Sequence, residues 1–125
     1  MTQRSVLIIE DDPKLCVIFQ TALQQAGFET ELDSTGDHFS NKLSSAAPDL
    51  IILDIHLPYA SGKDILEQVR SNELWANAVV IVTTADLFLA KSLEKQADYV
   101  LIKPVSVGRL MKIVASHWPD DVKPY

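Results

Sequence analysis

The feature that most constrains this chain is an alternation of two kinds of segment: short runs of Val, Leu and Ile, and stretches whose apolar residues recur at helical spacing. Val6 to Ile9, Leu50 to Leu53 and Val79 to Val82 are continuously apolar, Phe28 to Leu32 alternates, and Tyr99 to Ile102 is a further short run. A strand that is apolar on both sides has no face to offer to water, so it belongs inside a parallel sheet with helices packed on both faces. After the first strand, Leu15, Ile18, Phe19, Ala22, Leu23 and Ala26 form the apolar stripe of a helix. Asp12 is placed to cap that helix, Pro13 suits its first turn and Gly27 marks its stop. Further helices are expected around Phe39 and Leu43, ending by Pro48; at Ile65, Leu66 and Val69; near Leu89 and Leu93; and along Val107, Leu110, Met111, Val114 and Trp118. Five strands alternating with five helices predict an α/β fold with a doubly wound parallel sheet. In such sheets ligands bind beyond the carboxyl ends of the strands, so the residues just after each strand carry the functional reading.

The chain's 125 residues suit one domain spanning 1–125, with 119–125 as a polar, Pro-punctuated tail or the first residues of a linker. A net charge of −6 argues against a nucleic-acid backbone as direct partner, because that binding needs clustered positive charge. No strictly apolar run exceeds five residues, against roughly 20 for a membrane-spanning helix. The single Cys16 excludes an internal disulfide and a Cys-rich zinc site. With no secretory signal pattern at the start, the expectation is a cytoplasmic protein.

The first strand runs into Glu10, Asp11 and Asp12, and the strand beginning at Leu50 runs into Asp54. Acids at strand ends also serve solubility, and that reading stands beside a functional one. If these two strands are neighbours, Glu10, Asp11 and Asp54 converge, and carboxylates about 4 Å apart repel by roughly 4 kcal/mol per pair at an effective dielectric near 20. Either one of them holds a proton or a cation sits among them. An all-oxygen cluster favours Mg2+. The next strand ends in Thr83 and Thr84, and the last is followed by Lys103 and Pro104. Lys103 is either a solvated charge or a partner to the acids. Acids, a hydroxyl and an ammonium on one edge are a set able to hold a phosphoryl group, and an aspartate is a competent nucleophile toward phosphorus.

Four pieces in order carry a resemblance: Leu7-Ile8-Ile9-Glu10-Asp11-Asp12-Pro13; the run from Pro48 through Asp54, Ile55, His56, Leu57 and Pro58 with Gly62; Val82-Thr83-Thr84-Ala85; and Lys103-Pro104. Together they resemble the receiver domain of two-component response regulators over almost the whole chain. The resemblance implies a flavodoxin-like sheet in the order 2-1-3-4-5, and a phosphoacceptor, Asp54, charged by a histidine kinase or a phosphotransfer protein. It implies Mg2+ held by Asp11, Asp54 and the backbone carbonyl of His56, with Glu10 acting through water. It makes Thr84 the switch hydroxyl and Lys103 the contact to the phosphoryl group, and leads us to expect the Lys103-Pro104 peptide to be cis. The His56 side chain should point toward the phosphoryl rim, while His38 and His117 have no visible role. Such a chain is no enzyme toward outside substrates, although it assists its own phosphorylation and dephosphorylation. Its downstream partner would be met through the face of the fourth helix and fifth strand; pairing of two copies is left open.

Departures from the family pattern matter for the output. The stretch from Thr84 to Lys103 is short by about one helical turn, so the fourth helix should be short or reoriented; Gln96 stands where Gly is common, and Val100 where an aromatic is common. Tyr99 should face the opposite side from Val100. Leu87, Phe88 and Leu89 are either core or an exposed docking face. The alternatives to a stand-alone receiver are a scaffold module that works without phosphorylation, and a piece of a larger regulator or hybrid kinase. A Mg2+-dependent phosphatase is disfavoured because His56 replaces the second acid of an Asp-x-Asp motif.

Overall fold

Each apolar run forms a strand, and each described stretch of helical period forms a helix. The computed structural model describes residues 3–36, 39, 46–58 and 60–123. Within them, β1 (Ser5–Ile9), α1 (Pro13–Gln25), β2 (Glu29–Asp33), β3 (Leu50–Asp54), α2 (Gly62–Ser71), β4 (Val79–Thr84), α3 (Leu87–Leu93), β5 (Tyr99–Ile102) and α4 (Val107–His117) follow one another. Strand β2 begins one residue later than its alternation suggested, because Phe28 is buried against the Trp118 ring at 5.7 Å before the ladder starts. Apart from Phe39, which is buried against Trp75, the helix expected around Phe39 and Leu43 lies outside the described residues, as does His38. The helix expected fourth in order is therefore α3.

The five strands form one sheet in the order β2-β1-β3-β4-β5, and every pair is parallel. This is the expected flavodoxin-like arrangement. Alternation along β1, β3 and β4 sends side chains to two cores. Leu7, Ile9, Ile51, Leu53, Val80 and Val82 pack with Ile65, Leu66 and Val69 of α2 and Leu93 of α3. Val6, Ile8, Leu50, Ile52 and Ile81 pack with Phe19 and Leu23 of α1 and with Leu110, Met111 and Val114 of α4. Val100 belongs to the first core and Tyr99 to the second, so the two do face opposite sides.

The start of α1 follows the sequence closely. The Asp12 side chain accepts from the amides of Lys14 and Leu15, and Pro13 opens the helix where its missing N–H costs nothing. Gly27, at φ +104°, makes the left-handed turn that ends it. The buried stripe is rotated from the one expected. Ile18 is 43% exposed and Cys16 is buried in its place, because α1 presents the line through Cys16, Phe19 and Leu23 to the sheet. The thiol donates to the Glu10 carbonyl at 3.1 Å, which satisfies it inside the core.

Helix α3 is short, seven residues, as the reduced spacing between Thr84 and Lys103 implied. Its first turn stands away from the core: Leu87 is 70% and Phe88 92% exposed, while Ala90 and Leu93 are buried. The cluster divides: Leu87 and Phe88 are exposed, while Leu89 packs against the core. Below α3, Arg70 donates to the carbonyls of Gln96, Ala76 and Ala78 and to Asp98 Oδ2, at 2.6 to 3.0 Å. Asp98 Oδ2 also accepts from the Val80 amide at 2.7 Å, so one cluster ties α2, β4 and the turn before β5. At the opposite end of the chain, Arg4 pairs with Asp49 and Asp121 and lies over the Trp118 ring, and the Lys123 amide donates to the Ala26 carbonyl. Of the residues expected as a tail, Asp121 and Lys123 are thereby held against the body.

Candidate functional site

In a parallel ladder, neighbouring strands end together. Ile9 lies beside Leu53, Asp54 beside Thr83 and Thr84 beside Ile102. Glu10, Asp54, Thr84 and Lys103 therefore reach one edge from β1, β3, β4 and β5, although 93 residues separate the first from the last. Glu10, Asp54 and Thr84 are buried there, while Asp11 is exposed. Carboxylate oxygens of Glu10, Asp11 and Asp54 lie within 4.8 Å of one another, so the expected acidic cluster forms.

Lys103 faces two of these acids: its Nζ is 3.2 Å from Asp54 Oδ2 and 3.6 Å from Glu10 Oε1. The other Asp54 oxygen accepts from the His56 amide at 3.0 Å, which fixes the carboxylate plane against the turn that follows β3. Glu10 Oε1 accepts from the Asp12 amide at 3.1 Å, but Oε2 is buried with no partner among the described residues. Burial, and then the nearby charge of Asp54, push the Glu10 pKa up to about 7. Lys103 is driven the other way from most buried amines. Burial works against its charge, yet Glu10 and Asp54 outweigh it and raise its pKa, so the ammonium stays protonated.

One ammonium set against three carboxyl groups leaves this edge short of positive charge. The unpartnered oxygen of Glu10 shows where it is missing. A hard divalent cation with oxygen ligands fits that deficit, whereas among the described residues the cluster offers no His nitrogen or thiolate to favour a softer metal.

Across the edge, the Thr84 hydroxyl accepts from the Asp86 amide at 3.0 Å and lies 3.1 Å from His56 Nε2. Alternation along β4 turns Thr83 the other way; its hydroxyl is buried without a hydrogen bond among the described residues. The Lys103-Pro104 peptide is cis, as expected. His117, at the far end of α4, is exposed and lies 2.9 Å from the Tyr99 hydroxyl, away from the acids. Among the site residues, the pairing of His56 with Thr84 is one that reading the sequence left unassigned. Its signal lay in the register: Asp54 opposite Thr83 puts positions 56 and 84 just past the ends of adjacent strands.

Comparison with known proteins gives a consistent picture. The family model for the response regulator receiver domain matches residues 6–115. The polar-differentiation response regulator DivK of Brucella ovis is 29% identical over 122 residues, which cover 94% of this chain and 98% of DivK. The transcriptional regulatory protein TrcR of Mycobacterium tuberculosis is 30% identical over 108 residues, 85% of this chain but only 42% of TrcR's length. The receiver domain of a sensor histidine kinase from Pseudomonas aeruginosa, solved with a magnesium ion coordinated in its active site cleft, matches with a TM-score of 0.81 at 22% identity, covering 92% of this chain and 97% of that one.

Proposed function

This chain belongs to the response regulator receiver domain family, and from that premise we propose that it accepts a phosphoryl group on Asp54 from a histidine kinase or phosphotransfer protein. The observation that carries the reading is the setting of Asp54: a buried carboxylate at the sheet edge, 3.2 Å from the Lys103 ammonium and clustered with Glu10 and Asp11. In the transfer, an Asp54 oxygen bonds to phosphorus as the bond from phosphorus to the donor's imidazole nitrogen breaks. The electron pair of that bond stays on the nitrogen.

The surrounding residues fit that chemistry. The His56 amide holds one Asp54 oxygen and so orients the carboxylate. Lys103, kept protonated by its acidic neighbours, supplies a positive charge to the incoming phosphoryl oxygens. Thr84 supplies the hydroxyl that follows the phosphoryl group. Asp11, Asp54 and the His56 carbonyl would hold Mg2+, with Glu10 behind water, and the ion would neutralise charge on the transferring group. Support for this assignment is the cation-deficient cluster here together with the magnesium bound by the Pseudomonas receiver.

The added charge of about −1.5 to −2 on Asp54 would shift the population of Thr84 and of α3, and the α3 and β5 face would pass the signal to a partner protein or further domain. A second reading, a module that binds partners without phosphorylation, draws on two features. Leu87 and Phe88 are already exposed, and Val100 stands on β5 in place of an aromatic.

Incubation with acetyl phosphate and Mg2+, followed by intact mass, tests the main reading. One added phosphoryl group that disappears in Asp54→Asn is expected, with acetate as the leaving group. No adduct from acetyl phosphate or from a phosphorylated donor protein would refute it in favour of the second reading.

A further inference from the structure

Thr84 is buried, so its hydroxyl must find its partners within the protein. A hydroxyl has one proton to give and lone pairs to accept with. Here it accepts from the Asp86 amide, and its other partner is His56 Nε2 at 3.1 Å. Among the described residues, no other side chain bonds to it. His56 is exposed, and its ring could be served by water instead, yet it bridges the turn after β3 to the end of β4. Its backbone is held at the same time, through the amide bonded to Asp54. His56 thus touches the Asp54 carboxylate through its amide and the Thr84 hydroxyl through its ring.

We propose that His56 is a positioning residue for Thr84: its imidazole holds the hydroxyl in the resting arrangement, and a phosphoryl group on Asp54 has to displace it. The inference rests on the phosphoacceptor reading above and deepens it. His56 acts through Thr84 and need not touch the phosphoryl group. The resting state is favoured by one hydrogen bond that the phosphorylated state gives up. A hydrogen bond of ordinary net strength makes that a bias of about three- to tenfold.

Titration calorimetry with beryllofluoride, a phosphoryl mimic, in the presence of Mg2+ tests this on the full chain. His56→Ala is expected to bind beryllofluoride about three- to tenfold more tightly than wild type, with a melting temperature lower by about 2–6 °C, since the same hydrogen bond steadies the resting fold. His56→Gln, whose amide reaches about as far as Nε2, is expected to fall between the two. In a Thr84→Ala background the same His56→Ala change should alter affinity by less than about twofold, since the hydroxyl it acts through is gone. Binding by His56→Ala that is equal to or weaker than wild type overturns the proposal, as does an equal gain without Thr84. Wild type that binds no beryllofluoride overturns the phosphoacceptor reading itself, and the role of His56 falls with it.

Discussion

Gly62 opens α2 directly after its Ser61 cap, with the backbone of Ile55 lying against it. A Cβ at this position would stand 2.5 Å from Ile55 Cα, 2.6 Å from its carbonyl oxygen and 2.8 Å from its carbonyl carbon. Ordinary contacts begin at about 3.4 Å, so nearly an ångström of movement is required, and backbone atoms have no rotamer through which to give way. Overpacking of this kind costs about 1–3 kcal/mol. Alanine's better helix propensity, worth at most about 1 kcal/mol and less at a helix end, offsets only part of that.

Gly62→Ala is therefore expected to lose about 2 kcal/mol, which for a domain of this size lowers the melting temperature by about 6–10 °C. Ile55 also joins Asp54 to His56, so the same shift should move the Asp54 carboxylate relative to Lys103 and, on the proposed function, slow labelling by acetyl phosphate. Gly108→Ala is the control: the nearest atom is Ser106 Oγ at 3.8 Å, so the substitution should be neutral or stabilising by about 0.5 kcal/mol. Thermal melts followed by far-ultraviolet circular dichroism separate the two. A Gly62→Ala variant as stable as wild type would refute the reasoning, because it would mean that the backbone of β3's exit yields at negligible cost.

Two other substitutions test the framework around the site. Arg70→Ala removes donors from three carbonyls and from Asp98; with those acceptors close to solvent, the loss should be about 2–3 kcal/mol in urea denaturation, and Arg70→Lys should recover little, since a point charge does not reproduce the fork. A loss under about 1 kcal/mol would show that water replaces the guanidinium well. Phe88→Ser, at a ring 92% exposed, should change stability by no more than about 0.5 kcal/mol; a larger loss in the same titration would mean that the ring packs against the protein after all.

Much of the acidic site was legible because of where parallel strands end. Once Val6 to Ile9 and Leu50 to Leu53 are recognised as buried strands, Glu10 and Asp54 must leave the sheet on the same side, and Thr84 and Lys103 follow by the same rule. Helix rotation was less legible. Leu15 and Ile18 fitted the apolar stripe of α1 as well as Cys16 did, and only the sheet's surface decides that Cys16 turns inward and Ile18 outward. Apolar residues near a strand end are equally ambiguous, which is why Leu87 and Phe88 had to be seen at the open first turn of α3 before core could be separated from surface.

The sequence by itself determined the element types, their parallel arrangement and the set of charged residues at one edge, because hydrophobic period and capping chemistry act over a few residues at a time. What only the tertiary structure decided are the contacts between segments far apart in the chain: the orphaned oxygen of Glu10, the Arg70 cluster under β5, and the His56 ring beside the Thr84 hydroxyl. Those depend on side-chain rotamers and on strand register to within an ångström, and a hydrogen bond either forms or fails over that distance.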